Sequence, residues 1–232
     1  MTVKVIGAGL AGCEAAWQLS KRGINVRLYD MKPKKFSPAH NLDTFCELVC
    51  SNSLRSDRLE NAVGLLKEEM RSLGSLIMQC ADETRVPAGG ALAVDRNGFS
   101  SLVTARLKEQ ANIEIVCDEV ESIDPDEYTI VASGPLTSDK LYDNIRSFLG
   151  GEYLHFFDAA APIVTLESLD MSKAYRASRY GKGDDDYINC PMTEDEYDAF
   201  WSELCAAQEA PVHGFEDRNV FEGCMPVEVM AR

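Results

Sequence analysis

The first thirty residues show a strand pattern, then a helix pattern, then a second strand pattern. Val3–Ile6 is a short apolar run typical of a buried strand. A helical pattern continues from the glycines that follow to Arg22, and Gly23 ends it. Asn25–Tyr29 predicts a second strand, which Asp30 follows directly. The N-terminal residues therefore predict a β-α-β unit.

The same periodicities predict further elements up to residue 150. Helices are expected over 57–73, 99–110 and 139–149, and strands over 113–116 and 128–132. Residues 85–98 are expected to form a loop with a short apolar segment. Because strands and helices alternate, the chain predicts an α/β fold with a parallel, doubly wound sheet.

The predicted helix over 57–73 carries leucine and other apolar residues at helical spacing. Asp57 and Glu60 are expected to cap its start, and Gly74 to end it. This spacing predicts a packing face rather than a functional site. The apolar positions are Leu59, Val63, Leu66, Met70 and Leu73.

The pattern changes after residue 152, which predicts the start of a second, α+β domain over 153–232. Strands are expected over 155–159 and 162–166, followed by a loop over 175–183 rich in Tyr, Arg and Gly. Thr193 and Glu196 form a capping-box pattern that opens an amphipathic helix. The apolar side of that helix carries Tyr197, Phe200, Trp201 and Leu204.

Composition narrows the class of protein. Hydrophobic residues make up 45% and charged residues 26%, as in an ordinary soluble globular protein. The uncharged run from Tyr128 to Ser138 is much shorter than a bilayer span, and no signal-peptide pattern precedes the first strand. Eight cysteines without a framework spacing suggest reduced thiols in the cytoplasm. The net charge of −15 argues against a nucleic-acid partner when it is taken alone.

The segment Gly7-Ala8-Gly9-Leu10-Ala11-Gly12 has the spacing of a dinucleotide-binding fingerprint. Gly7 permits a tight turn, Gly9 lets the backbone approach a pyrophosphate, and Gly12 lets helix and strand pack closely. Asp30 lies where a carboxylate accepts hydrogen bonds from ribose hydroxyls. These features predict a Rossmann-like domain over residues 1–152, although a glycine-rich turn without a ligand would share the pattern. The motif does not separate FAD from NAD.

The cysteines and histidines show no metal-binding spacing, so no metal site is predicted. Cys50 precedes Ser-Asn-Ser and Arg55, and Cys224 lies between Gly223 and Met225-Pro226. Both settings suit a thiolate, which needs electropositive surroundings to lower its pKa. An inert buried thiol is the alternative for either residue. Cys13, Cys80, Cys117 and Cys205 are expected in the core, and Cys46 and Cys190 are left open.

Several blocks along the chain are together more specific than the glycines alone. They are residues 5–12 (VIGAGLAG), 46–53 (CELVCSNS), 86–96 (VPAGGALAVDR), 134–138 (GPLTS), 157–162 (FDAAAP), 179–183 (RYGKG), 189–192 (NCPM) and 221–226 (FEGCMP). With these blocks the chain resembles the folate- and FAD-dependent tRNA uracil-5-methyltransferases (TrmFO), relatives of the GidA/MnmG flavoproteins. That family continues well beyond residue 232, so the chain is expected to correspond to its N-terminal half.

The resemblance implies transfer of a one-carbon unit from methylenetetrahydrofolate, through reduced FAD, to the T-loop uridine of tRNA, with NAD(P)H as reductant. By motif match, Cys224 takes the place of the nucleophile that adds to the uracil ring. Cys50 takes the place of the second cysteine, tied to proton removal from carbon 5 or to holding the base. Arg176, Arg179, Lys182 and the Lys32–Lys35 loop are candidates for contacts with tRNA phosphates.

Two other readings stay open at this point. One is a generic FAD/NAD(P) oxidoreductase in which Cys50 and Cys224 cycle between thiol and disulfide. The other is a fragment that neither binds flavin well nor turns over substrate. The sequence makes no prediction of the oligomeric state.

Overall fold

The computed structural model describes residues 1–49, 51–149, 164–178, 181 and 184–208. The chain divides into two compact units. The first comprises Met1–Pro87 with Ala91–Leu154, and the second comprises Ala88–Gly90 with His155–Arg232.

The elements of the described residues follow a largely alternating order. The strands are β1 (Thr2–Ile6), β2 (Asn25–Asp30), β3 (Ser53–Ser56), β4 (Arg85–Val86), β5 (Ala91–Val94), β6 (Ile113–Cys117), β7 (Thr129–Val131), β8 (Tyr175–Ala177) and β9 (Tyr187–Asn189). The α-helices are α1 (Leu10–Lys21), α2 (Ala62–Ser72), α3 (Leu76–Glu83), α4 (Arg96–Lys108), α5 (Asp139–Leu149) and α6 (Glu194–Ala206). Gly134–Leu136 and Leu166–Ser168 form short 3-10 helices.

The main sheet of the first unit has four parallel strands in the order β6-β2-β1-β7. Val5 pairs with Leu28 on one side and with Ile130 on the other. Taken in chain order, the strands run 3-2-1-4, which is the order of doubly wound dinucleotide-binding sheets. The predicted α/β fold with a parallel sheet is confirmed.

The core of the first unit lies where α1 and α4 pack on this sheet, with α3 packed on both helices. The sheet contributes Val5 and Leu28, and α4 contributes Phe99 and Val103, all without exposed surface. Burial of each such side chain stabilises the fold by about 1.5–3 kcal/mol. Val5 lies in the apolar run that was predicted as a buried strand.

A second sheet, with antiparallel order β3-β5-β4, lies in residues where the sequence predicted no strand. Residues 85–98, expected as a loop, hold β4, β5 and the start of α4. Helix α4 begins three residues before the predicted position because the Asp95 side chain accepts a hydrogen bond from the nitrogen of Gly98 at 2.6 Å. Helix α3 was not predicted; it is a mostly buried apolar segment capped by Ser75.

The predicted start of the helix over 57–73 is wrong. Helix α2 begins at Ala62, and Asn61 caps it by accepting a hydrogen bond from the nitrogen of Val63 at 3.0 Å. Asp57 forms ion pairs instead, at 2.8 Å, with both Arg71 and Arg85. Long-range partners thus take the carboxylate that the local pattern assigned to a cap.

The predicted packing face of α2 is wrong for its leucines, although Met70 packs against the core as expected. Leu66 is 55% exposed and Leu73 is 74% exposed, and Leu59 is also exposed. The buried positions of the helix are Gly64 and Lys67. A Cβ on Gly64 would lie 2.0 Å from the carbonyl oxygen of Arg58, so the helix approaches the preceding chain through its glycine rather than through its leucines.

The second unit contains an antiparallel β8-β9 pair in which Arg176 lies opposite Ile188. Tyr175 and Arg176 were expected in a loop and instead form part of β8. The predicted strand over 155–159 lies outside the described residues. The one expected over 162–166 is described only from Val164, and Leu166 begins a 3-10 helix.

The predicted capping box is confirmed at the start of α6. The Thr193 side chain accepts a hydrogen bond from the nitrogen of Glu196, and the Glu196 carboxylate accepts one from the nitrogen of Thr193 at 2.8 Å. The aromatic side chains on the apolar side of this helix, Tyr197, Phe200 and Trp201, are exposed.

None of the helices in the described ranges is long and apolar enough to span a bilayer.

Candidate dinucleotide-binding site

The segment Gly7–Gly12, termed the glycine turn below, follows the C-terminal end of β1 and leads into α1. The Gly7 nitrogen donates a hydrogen bond to the carbonyl oxygen of Tyr29 at 2.8 Å, which ties the turn to β2. Gly7 has φ +99°, and a Cβ there would lie 2.6 Å from the carbonyl oxygen of Ala132. Only glycine fits this position, because the backbone is left-handed and β7 ends directly beside it.

The other two glycines of the turn differ in what surrounds them. A Cβ on Gly12 would lie 1.8 Å from the carbonyl oxygen of Gly7, so packing within the chain requires glycine there. A Cβ on Gly9 would meet no atom within 4 Å, and Gly9 has φ −76°, which any residue adopts. Neither packing nor backbone strain requires glycine at Gly9. Open space at this position fits a pyrophosphate approaching the main chain.

The N-terminus of α1 is free of a side-chain cap. Gly9 occupies the N-cap position without a side-chain hydrogen bond, and the first turn holds no acidic residue. Leu10 and Ala11 are exposed, and the first N–H groups of a helix have no intrahelical acceptor. Such groups, together with the helix dipole, bind anions.

Asp30 lies at the end of β2, beside the glycine turn. Its Oδ2 accepts a hydrogen bond from the nitrogen of Ala8 at 3.2 Å, and its Oδ1 accepts one from the nitrogen of Lys32 at 2.9 Å. A carboxylate has about four acceptor positions, so Asp30 keeps capacity for ribose hydroxyls. The N–H of Ala8 is engaged by Asp30, whereas the exposed Leu10 and Ala11 lie in the first turn of α1, whose N–H groups have no intrahelical acceptor.

The turn after β7 lies against the glycine turn. A Cβ on Gly7 would lie 2.7 Å from the Cα of Ser133, and Gly134 follows with φ +66°. The Ser133 hydroxyl and the Thr137 hydroxyl are 2.7 Å apart. The turn after β7 and the glycine turn therefore lie together at the C-terminal ends of two paired strands, β1 and β7.

The basic loop after β2 is tied to the protein itself. Lys32 is 5% exposed, and its Nζ donates a hydrogen bond to the carbonyl oxygen of Thr44. Lys34 pairs with Asp118 at 3.7 Å and Lys35 pairs with Glu119 at 2.8 Å. The prediction that this loop contacts tRNA phosphates is wrong for Lys32, because its ammonium group is buried.

Cys50 and Cys224, the two cysteines with predicted roles, lie outside the described residues. The other cysteine of the block over 46–53, Cys46, is described. Cys46 is buried and has φ +53°, and its nitrogen donates a hydrogen bond to the carbonyl oxygen of Ala8 at 2.9 Å. Burial raises the pKa of the Cys46 thiol well above its usual range, and a hydrogen bond with the Cys13 side chain adds to the effect. A buried thiol with a raised pKa is disfavoured as a nucleophile, because the reactive form is the thiolate.

Two of the cysteines expected in the core are buried, and two are only partly so. Cys13 donates a hydrogen bond from its Sγ to the carbonyl oxygen of Ala8 at 3.2 Å. Burial raises the pKa of Cys80 to about 11. Cys117 and Cys205 are partly buried, and Cys190 is exposed.

Of the predicted tRNA contacts, Arg176 is exposed on β8, whereas Arg179 and Lys182 lie outside the described residues. Within the described part of the chain, no cluster of three or more His, Cys, Asp or Glu residues is suited to a metal ion. Sequence reasoning missed Lys32 and Thr44 as neighbours of the site. No sequence signal indicated that a lysine two residues after Asp30 turns inward.

Comparison with known proteins extends these observations. The family model described as glucose inhibited division protein A matches residues 2–232. The chain is 64% identical over 230 residues to the methylenetetrahydrofolate–tRNA-(uracil-5-)-methyltransferase TrmFO of Acetivibrio thermocellus, covering 99% of this chain and 53% of that protein. It is 61% identical to the Lactobacillus gasseri protein of the same name, covering 99% of this chain and 52% of that protein.

The chain spans about half the length of the curated relatives it matches. Among solved structures, GidA of Aquifex aeolicus is similar, with a TM-score of 0.43 and 22% identity over 53% of this chain and 20% of that chain. Because the family model matches residues 2–232, this chain belongs to the glucose inhibited division protein A family.

Proposed function

We propose that this chain binds FAD at the glycine turn and takes part in transferring a one-carbon unit from methylenetetrahydrofolate to the T-loop uridine of tRNA. The observation that carries the cofactor site is Gly9, whose open side lies at the uncapped N-terminus of α1. The name shared by relatives that are 64% and 61% identical supports the reaction and its substrates.

The residues present fit an adenine dinucleotide. The N–H groups of Leu10 and Ala11 would hold the pyrophosphate, and Gly9 leaves it room. The remaining acceptor capacity of Asp30 would take the ribose hydroxyls. Bound FAD would supply the redox chemistry for carrying the one-carbon unit of methylenetetrahydrofolate, with NAD(P)H as the proposed source of electrons.

The reaction needs a nucleophile because carbon 5 of uracil reacts poorly until a thiolate adds at carbon 6 and creates an enolate. We assign that addition to Cys224, and proton removal at carbon 5 or retention of the base to Cys50. The base has to leave its stack to reach such a pocket. Both assignments rest on the match of their blocks to the TrmFO pattern.

Contacts with the tRNA backbone are proposed for Arg176, Arg179 and Lys182. Arg176 is exposed on β8, as a phosphate contact requires. We propose that residues 1–152 form the FAD-binding domain and that residues 153–232 begin the domain that meets the RNA.

Covalent trapping tests this function. A T-arm mini-helix carrying 5-fluorouridine at the target position should form an adduct, because fluorine at carbon 5 prevents the proton removal that releases the enzyme. Cys224→Ala should abolish the adduct on a denaturing gel, and Cys190→Ala, which removes an exposed thiol, should leave it unchanged. Adduct formation by Cys224→Ala at the wild-type level would show that Cys224 is not the nucleophile.

Thiol titration distinguishes the oxidoreductase alternative. A methyl-transfer role predicts that Cys50 and Cys224 remain free thiols through flavin reduction and reoxidation. A reversible Cys50–Cys224 disulfide, in a protein that reduces substrates but does not bind tRNA, would favour the oxidoreductase.

A further inference from the structure

Lys32 is a buried cation beside the proposed cofactor site, and the function proposed above gives it no role. Its Nζ donates a hydrogen bond to the carbonyl oxygen of Thr44, and its main-chain nitrogen donates one to Oδ1 of Asp30. Burying an ammonium group costs free energy unless hydrogen bonds compensate. The contacts that Lys32 makes should therefore explain why its ammonium group is buried.

The bonds of Lys32 belong to a closed hydrogen-bonded ring, defined here as Lys32, Asp30, Ala8, Cys46 and Thr44. Asp30 accepts from the nitrogen of Ala8, and the carbonyl oxygen of Ala8 accepts from the nitrogen of Cys46. Thr44 lies two residues before Cys46 and accepts from Lys32, which closes the ring. The ring joins the glycine turn to the acid at the end of β2.

Helix α4 fixes the Thr44–Cys46 side of the ring. The nitrogen of Phe45 donates to the Thr104 hydroxyl at 2.8 Å, and the Ser100 hydroxyl donates to the carbonyl oxygen of Phe45. Both bonds are buried. They fix the residue before Cys46, whose left-handed conformation a non-glycine residue adopts only when its surroundings determine it.

The ring leaves the groups that the ligand needs available for binding. The N–H groups of Leu10 and Ala11 and the open side of Gly9 are outside it, and Asp30 keeps further acceptor positions. The ring therefore sets the turn and the acid in a fixed relation before a ligand binds. Groups fixed in advance bind more tightly because less freedom is lost on association.

We infer that Lys32 is a positioning residue for the dinucleotide, acting through Thr44 and Asp30 without contacting the ligand. This inference rests on the proposed function, since it takes the glycine turn to be the cofactor site. On this inference, the buried ammonium group of Lys32 strengthens binding of the adenosine and pyrophosphate half of the ligand.

Matched lysine variants test the inference. Lys32→Met removes the Nζ bond with a side chain of similar length, and Lys34→Met removes an exposed lysine of the same loop, whose side chain is 68% exposed. FAD affinity would be followed by flavin fluorescence, and ADP affinity by displacement, well below the melting temperature of each variant. Lys32→Met should lower the affinity for both FAD and ADP by about ten-fold or more, and Lys34→Met should lower it by less than about two-fold.

The salt dependence of binding separates positioning from direct contact. A lysine that meets a phosphate makes binding weaken with added salt, and its removal flattens that dependence. If Lys32 only positions the site, ligand binding by Lys32→Met and by the wild type should weaken with added salt to the same extent. A flatter dependence in Lys32→Met would overturn the inference, as would FAD and ADP affinities within about two-fold of the wild type.

If Lys32→Met does not fold, a variant in α4 can perturb the Thr44–Cys46 side of the ring instead. Thr104→Val removes the acceptor of the Phe45 nitrogen while keeping the shape of the side chain. It should lower the affinities for FAD and for ADP by the same factor, and unchanged affinities would overturn the inference. Failure of the wild-type chain to bind either ligand would contradict the proposed cofactor site itself, and the inference would fall with it.

Discussion

The main-chain nitrogen of Ala8 donates a hydrogen bond to Oδ2 of Asp30 at 3.2 Å, so the glycine turn after β1 and the acid after β2 are in direct contact. The second carboxylate oxygen of Asp30 accepts from the nitrogen of Lys32. Asp30 therefore has a structural role in the protein without ligand, in addition to the ribose contact proposed for it.

Asp30→Ala should lower both stability and cofactor affinity. The folded state loses two hydrogen bonds to a charged acceptor, each of about 1.5–3 kcal/mol. Urea denaturation of the protein without cofactor should show a lower midpoint, and flavin titration a weaker affinity. Asp43→Ala, which removes an exposed carboxylate, is the control and should match the wild type in both. An unchanged urea midpoint for Asp30→Ala would contradict the structural role.

Gly12→Ala should destabilise the fold, because its Cβ would lie 1.8 Å from the carbonyl oxygen of Gly7. The colliding atom belongs to the backbone, so relief requires the turn or α1 to move. We expect a loss of about 1–3 kcal/mol or more in the free energy of unfolding. Gly9→Ala, with open space around its Cβ, should change it by less than about 1 kcal/mol. Equal urea midpoints for the two variants would argue against this turn geometry.

Asp57 should make stability depend on acid pH. Burial pushes its pKa up, but hydrogen bonds and charges from Arg71 and Arg85 outweigh burial, and the pKa lies below its usual value. A lowered folded pKa stabilises the protein above about pH 4, and this contribution is lost as the pH falls through the folded value. The difference in unfolding free energy between wild type and Asp57→Asn should therefore be largest near neutral pH and shrink below about pH 4.

The control for Asp57 is Glu68→Gln, which removes a more exposed carboxylate 3.3 Å from Arg71. It should have a much smaller effect at every pH, because exposed ion pairs contribute about 0–1 kcal/mol. A difference between wild type and Asp57→Asn that stays constant from pH 7 to pH 3 would show that the ion pairs do not lower this pKa.

The leucines of α2 and α3 should differ sharply in their effect on stability. Leu66 is 55% exposed, whereas Leu76 has no exposed surface. Leu66→Ala should change the free energy of unfolding by no more than about 0.5 kcal/mol. Leu76→Ala should lower it by about 2–5 kcal/mol. A large loss for Leu66→Ala would restore the sequence-based prediction that this face is packed.

The β1-α1-β2 unit was predictable because its signals are local. The strand runs, the glycine spacing and Asp30 all lie within thirty residues, and each element follows from its own periodicity. Helix α5 was predicted with its observed bounds, Asp139–Leu149, for the same reason. Local pattern suffices where neighbouring residues determine the element.

The start of α2 and the ring around Lys32 were not predictable in this way. Asp57 resembles a cap, but its partners include Arg85, which lies 28 positions further along the chain. Lys32 resembles a surface charge, but its ammonium group is buried and donates to the carbonyl oxygen of Thr44. The residue after Thr44, Phe45, is in turn hydrogen-bonded to Thr104 of α4. In both cases tertiary contacts, which periodicity does not encode, decide where a charged side chain lies.

Flavin titration of the wild-type chain and Gly9→Val tests the central claim, that the glycine turn is the FAD site, most directly. The valine side chain would enter the open space at the N-terminus of α1, where the pyrophosphate is proposed to lie. We predict that the wild type binds FAD, and that Gly9→Val loses binding while keeping the melting temperature of the cofactor-free protein. Equal FAD affinities for the two proteins would contradict the account.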